Sequence, residues 1–304
     1  MDINRANIEV MFQEFKVAFT EGFNSGVERR ILDTVAQIVP STGSSVVHAW
    51  LTQNPKMREW IGDRLVNNIE SDNMTITNKK YENTIEIPRE DIEDDQHGLY
   101  TPLARLMGEE AAAHPDELLV NELTADNNWG ADAAAFFGTS RTYGSNTISN
   151  QTTNALSAST FNTAVQTMQS YLGHADNPLN TRPFALVVGP SNRTTAFDIL
   201  ENDMRATQTS NGVATQNPNK GLVMPVVSSR LVGTYANYWY LLGDVGGVRG
   251  VIYQQRDVAE FQSSRMNPNS DYVFQKDKFQ MGTRARGRAF LSLPHLIYRG
   301  RVAA

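Results

Sequence analysis

Apolar positions recur every three or four residues near the start of the chain. Ile8, Phe12, Phe15, Phe19 and Phe23 form one stripe over residues 5–24, which predicts an amphipathic helix. Gly22 and Gly26 read as loosening its end. Four phenylalanines on one face need a partner, either the chain's own core or another copy. The period then changes. Residues 68–88, NIESDNMTITNKKYENTIEIP, alternate Met74/Ile76 and Tyr81/Ile85/Ile87 with polar residues. That alternation predicts two strands, with Asn78-Lys79-Lys80 as the turn of an extended hairpin projecting from the body. Helical spacing returns over 101–125, where Leu103, Leu106, Met107, Ala111, Leu118 and Leu119 supply an apolar face. Thr101 is the expected cap and Pro102 the first helical residue. Pro115 predicts either one kinked helix or two shorter ones.

Residues 126–160 are rich in Asn, Thr, Ser, Gly and Ala and read as loop and irregular hairpin. A helix over 160–173, a buried strand FALVVG (184–189) and a helix from Pro190-Ser191 to Leu200 follow. LVMPVV, YWYLLG and VRGVIYQQ read as strands, the last two joined through the Gly243–Gly250 cluster. From Asp271 the pattern is mostly extended. Helices and strands mix without βαβ regularity, so the predicted class is α+β.

Composition narrows the function. The 304 residues are 40% apolar and 20% charged, enough for a substantial core. A formal net charge of -6 gives no general electrostatic reason to grip nucleic acid or an anionic membrane. Without cysteine, disulfides and thiolate metal sites are excluded. No secretory segment or membrane-length apolar run stands out, and the cytoplasm is the expected compartment.

Candidate chemistry concentrates in REDIEDDQHG (89–98), with Glu90, Asp91, Glu93, Asp94, Asp95 and His97 close together. It lacks the central glycine of a calcium loop, and zinc would need more than one nearby histidine. A charged lead-in to the helix at Thr101 explains it better. GDVGGVRG (243–250) precedes a strand-like segment and reads as a hairpin turn, not a phosphate loop. No Gly-x-Ser-x-Gly elbow is present. Near the C-terminus, Arg284, Arg286 and Arg288 alternate and would share one face of a strand. Residues 275–304 hold seven Lys/Arg and one Asp.

Four blocks together are specific. MREWIGDR (57–64), NKKYENTI (78–85), REDIEDDQHGLYTP (89–102) and MGEEAAAHPDEL (107–118) stand in order and at close spacing. In these blocks the chain resembles the major head subunit of Mu-like phages and prophages. YWYLL through QMGTRARGRAFLSLPHL is similar more weakly. After Phe136-Phe137 the chain has GTSRTYG where the family has an acidic residue and His-Pro, which leaves 138–160 unplaced. The resemblance implies an α+β tailed-phage capsid (Hong Kong 97) fold. Its parts would be an N-terminal arm (1–56), an extended loop (57–92) with Lys79 and Lys80 at the hairpin tip, and a peripheral domain (93–182) with a spine helix at 101–125. An axial domain (183–269) and return strands of the peripheral domain (270–304) would follow.

The resemblance also implies a structural protein, with no catalytic, cofactor or metal residues. Many copies would form pentamers and hexamers of an icosahedral head. Packaged double-stranded DNA would be met by weak non-specific contact. Portal, scaffold or protease, and decoration proteins are the implied partners, with assembly in the bacterial host cytoplasm and no membrane. The alternatives are a nanocompartment shell of the same fold, or a metal-dependent enzyme built on 90–97. The candidate subunit contacts are Phe12, Phe15, Phe19, Lys79, Lys80, the acidic residues 90–95 and the arginines 284, 286 and 288. The acidic stretch and the basic strand are expected to face each other, within a subunit or between two.

Overall fold

The computed structural model describes residues 5–51, 71–94, 96–143, 146–173, 177–206, 214–263 and 271–302. The chain begins with α1 (Arg5–Glu28), α2 (Leu32–Val35), β1 (Ala36–Pro40), β2 (Ser45–Leu51), β3 (Ser71–Thr77), β4 (Lys79–Pro88) and α3 (Arg89–Glu93). After a 3-10 turn at Gln96–Leu99 comes α4 (Tyr100–Thr124). Next are β5 (Arg141–Tyr143), β6 (Asn146–Ile148), β7 (Gln151–Thr152), α5 (Ala158–Gln169), β8 (Arg182–Val188) and α6 (Arg193–Leu200). β9 (Met204–Ala206), β10 (Ala214–Gln216), β11 (Met224–Val227), β12 (Trp239–Val245) and β13 (Val248–Arg249) follow. The last elements are β14 (Val251–Ser263), α7 (Asp271–Lys276), β15 (Lys278–Leu291) and β16 (Ile297–Gly300).

Two sheets organise the molecule. In the first, the order β11-β8-β12-β16-β7 has β13 hairpinned onto β12. Trp239 to Leu242 and Ala185 to Val188 are all fully buried, as expected for central strands covered on both faces. Gly246 and Gly247 both have positive φ and sit between the paired Val245 and Val248. That is the two-residue turn whose twist matches a hairpin, and the glycine cluster is a turn as its spacing predicts.

The second sheet has the order β1-β14-β15-β4. Val251 to Tyr253 and Ala289 to Leu291 belong to the large core around the first sheet. Further along, Met281 and Phe279 of β15 belong to a second core with α1 and α4, and Phe261 of β14 packs against it. The β14–β15 ladder, irregular in register between Gln255 and Glu260, is therefore a beam joining the two cores. The expected division at residues 269 and 270 does not follow sheet membership. The chain passes from the first sheet to the second at β14 and returns to the first at β16. A strand's partner is set by non-local hydrogen bonding, which local periodicity does not contain.

The α1 stripe packs as a core face. Ile8, Phe12, Phe15 and Phe19 are buried against Ala104 and Met107 of α4, Ile87 of β4, and Phe279 and Met281 of β15. Each phenylalanine contributes about 1.5–3 kcal/mol by leaving water. Gly22 and Gly26 do not loosen the helix end, because α1 runs to Glu28. They let two helices touch. A Cβ on Gly22 would lie 2.0 Å from the Arg105 carbonyl oxygen, and one on Gly108 would lie 2.1 Å from that of Phe19. α4 is one helix through Pro115, begins without a side-chain cap, and contains Thr101 instead of being capped by it. Asp116 accepts from the backbone N–H groups of Ile31 (3.0 Å) and Leu32 (2.8 Å), tying α4 to the start of α2. Burial pushes its carboxyl above the usual range against those two bonds.

One loop assignment changes. β3 and β4 do not pair with each other: β3 pairs with β2, and β4 pairs with β15 along ten positions. Asn78 is a corner between sheets. Its Nδ2 donates to Ser41 Oγ and the Gly43 carbonyl, both at 2.9 Å, and its Oδ1 accepts from buried Gln254 at 2.8 Å. Lys79 and Lys80 lie on β4 opposite Gly287 and Arg286, not at a hairpin tip. The polar stretch after residue 125 plugs the large core with Trp129, Phe136, Phe137, Tyr143 and Ile148. Fully buried Asn150 pins it, donating to the carbonyls of Phe136 (2.9 Å) and Pro294 (3.0 Å) and accepting from Gly138 N–H (2.8 Å).

Candidate assembly surfaces

The acidic stretch forms α3 and a corner. Ile92 points into the second core, while Glu90, Glu93 and Asp94 face solvent. Asp95 lies outside the described residues. Asp91 accepts a hydrogen bond from the Tyr100 hydroxyl. Burial, with help from Asp91, pushes that phenol up to about 12. Arg89 Nε bonds Glu93 Oε1 at 3.1 Å, one helical turn away. The Arg89 N–H reaches the Asp277 carbonyl at 3.0 Å, fixing this corner beside α7. These carboxylates therefore brace the passage from β4 into α4.

The basic strand β15 meets acids, but different ones. Arg286 lies 3.6 Å from Asp257 of β14. Arg284 stands in register with Glu82 on one side and Glu260 on the other. Lys278 Nζ bonds Glu86 Oε2 at 2.8 Å, and the Tyr272 hydroxyl donates to Glu86 Oε1 at 2.5 Å. These bonds hold the Glu86 carboxyl down at about 2. Glu82, beside Arg284, precedes Pro88 by six strand positions, which is about 20 Å. That exceeds the screening length of about 8 Å. The expected docking of residues 90–95 on the arginines thus does not occur within the chain, because the charges run along the strand from one end to the other. Arg288 is half-buried and lines a cavity beside β3 together with Glu122.

Phe12, Phe15 and Phe19 meet their partners inside the chain, so the single subunit already buries the predicted contact stripe. The free apolar surface lies elsewhere. Val10 and Val17, one heptad apart on the outer face of α1, are each 58% exposed. Leu99, Leu103 and Leu106 form an exposed line at the start of α4, and Met224 is exposed on the edge strand β11. Phe274 on α7 is 89% exposed. The sequence held a signal for two of these, since Val10 and Val17 fall off the phenylalanine stripe. The β2–β3 ladder extends from its base, where Met74 and Ile76 are buried with Trp129, while Val47 faces solvent. Residues 52–70, which join these strands and include MREWIGDR, lie outside the described residues.

The model of the Mu-like prophage major head subunit gpT family matches residues 8–155, 142–228 and 215–303. The chain belongs to this family. It is similar to the Mu-like prophage FluMu major head subunit of Haemophilus influenzae Rd, with 29% identity over 95% of this chain and 73% of that protein. It is also similar to the major capsid protein of Escherichia phage Mu, with 33% identity over 39% of this chain and 38% of that protein. Among solved structures, the procapsid of bacteriophage JBD30 matches at 27% identity and TM-score 0.53, over 98% of this chain and 75% of that chain. The JBD30 capsid decorated with minor capsid protein trimers matches at 27% identity and TM-score 0.57, over 66% of this chain and 90% of that chain. The fold is the α+β capsid fold of tailed phages, and the head subunit is a major capsid protein of an icosahedral phage shell. Among the described residues no helix is long and apolar enough to cross a membrane.

Proposed function

We propose that copies of this head subunit close into pentamers and hexamers around double-stranded DNA, and that its work is assembly, not catalysis. The observation that carries this reading is the match to the JBD30 procapsid subunit over 98% of the chain. In this reading α1, α4 and the β1-β14-β15-β4 sheet serve as the peripheral part, with α4 as its spine. The β11-β8-β12-β16-β7 sheet serves as the axial part, and the β2–β3 ladder as the extended loop. The net charge of -6 suits a shell that contacts packaged DNA weakly and without sequence preference. A portal, a scaffold or protease, and assembly in the host cytoplasm follow from the same reading. A decoration protein is proposed by analogy with the trimers on the JBD30 capsid. Repeated modest contacts suffice, because symmetry closes them.

Electron microscopy of the expressed full chain tests this. Closed shells, or rings of five and six, are expected. Small uniform oligomers that never form a shell would overturn it. Shells purified from a native host should contain DNA, and protein cargo without DNA would favour a nanocompartment.

A further inference from the structure

A cavity of about 300 Å³ lies where α4 crosses β4 and β15. Its walls carry Tyr81, Glu82, Glu110, His114, Glu117 and Thr283, together with Ala111 of α4, Ala259 of β14 and Ala285 of β15. Two polar atoms here are buried with no hydrogen-bond partner. Thr283 is 8% exposed, and its Oγ1 is one of them. His114 Nε2 is the other.

Nδ1 lies 3.5 Å from Glu117 Oε2. In the tautomer with its hydrogen on Nδ1, the ring presents the Nε2 lone pair to the cavity. The Tyr81 ring, 4.4 Å from the imidazole, adds a π face. No lysine or arginine is among the described residues lining the cavity. Arg230 approaches Glu117 at 3.7 Å and Glu110 at 4.0 Å, beyond hydrogen-bond length, so both keep lone pairs for a guest.

The described lining therefore carries three carboxylates, a buried hydroxyl and an imidazole, with the Arg230 guanidinium as the nearby cation. An anion would be repelled. An apolar guest would leave both buried polar atoms unmet. A hard divalent cation wants six to eight oxygens, more than this wall converges. A group with several N–H donors and one positive charge meets every requirement. We propose that this crevice binds a primary ammonium group, with Thr283 Oγ1 and His114 Nε2 as acceptors and Glu110 and Glu117 as counter-charges. The group belongs either to a free diamine or to a lysine side chain of a second copy. The cavity is complete in the single chain, so the site stands independently of the shell.

The test is titration of the unassembled full chain with putrescine, following the His114 imidazole and Thr283 methyl signals by NMR. Saturable shifts of both are expected, with Mg²⁺ at matched ionic strength leaving them in place. Thr283→Val keeps the shape and removes the oxygen, and it should weaken putrescine binding about tenfold while leaving the thermal midpoint unchanged. Non-saturable shifts, equal shifts with Mg²⁺, or undiminished binding by Thr283→Val would overturn the proposal. In a map of the assembled shell, isolated density in the crevice assigns a free amine. Density continuous with a neighbouring copy assigns a lysine. Ordered water alone, in shells formed with putrescine present, overturns the site. None of the titration outcomes depends on whether shells form.

Discussion

Gly108 shows how much one missing methyl group can decide. A Cβ there would stand 2.1 Å from a backbone oxygen of α1, and backbone cannot swing aside. Gly108→Ala should destabilise the unassembled chain by about 1–3 kcal/mol, read from urea unfolding. The periodicity of α1 and α4 was legible, but the closeness of their axes was not, because it depends on which residues meet at a crossing. Glu86 gives a pH test. Its folded value of about 2 lies below its ordinary 4.5, so its contribution to stability is present above about pH 4.5 and is lost as pH falls towards 2. The stability difference between the native chain and Glu86→Gln should shrink across that window. A difference that stays constant with pH would contradict the Lys278 and Tyr272 contacts. Arg299 was the least legible residue. It reads as one more basic residue near the C-terminus, yet it is buried, bonds Asp126 at 2.7 Å, and lies 4.0 Å over the Phe137 ring.

At the scale of elements, period predicted type well and pairing poorly. The helices at α1, α4 and α5 and the strands at β8 and β12 follow their apolar spacing. The alternation across residues 74–87 is real, but it belongs to two strands in different sheets. A period of two says that a strand has two faces, and nothing about its neighbour. The stripe on α1 likewise demanded a partner without naming it. Phe15→Ala separates the two readings. Because α4 and β15 of the same chain cover Phe15, the variant should lose about 3–5 kcal/mol of stability even when unassembled. Unchanged unfolding with impaired assembly would instead mark Phe15 as a contact between copies. The stretch after residue 125 is loop and irregular hairpin, as its composition predicts, with β5 pairing β6. Its few aromatics and Asn150 carry it inside, where side-chain amides satisfy loop carbonyls.

For the whole molecule, the β14–β15 beam joins the sheet carrying β11 to the layer carrying α1 and α4, so one chain presents distant surfaces in fixed relation. The exposed apolar residues sit on those outer surfaces. Phe274→Ser should leave the unassembled chain within about 0.5 kcal/mol of native stability, because 89% of that residue is already in water. The same variant should lower shell yield under electron microscopy. Normal yield would remove α7 from the contact surfaces. The sequence by itself determined the class, the family and the principal helices, because these rest on local period and on residue order within REDIEDD and its flanking blocks. Only the tertiary structure decided that β3 leaves β4, that the phenylalanines are satisfied inside the chain, that Arg286 meets Asp257, and that Arg284 stands in register with Glu82 and Glu260. Those outcomes depend on contacts between residues far apart along the chain. There, competition for hydrogen bonds and buried area is settled jointly by the whole fold.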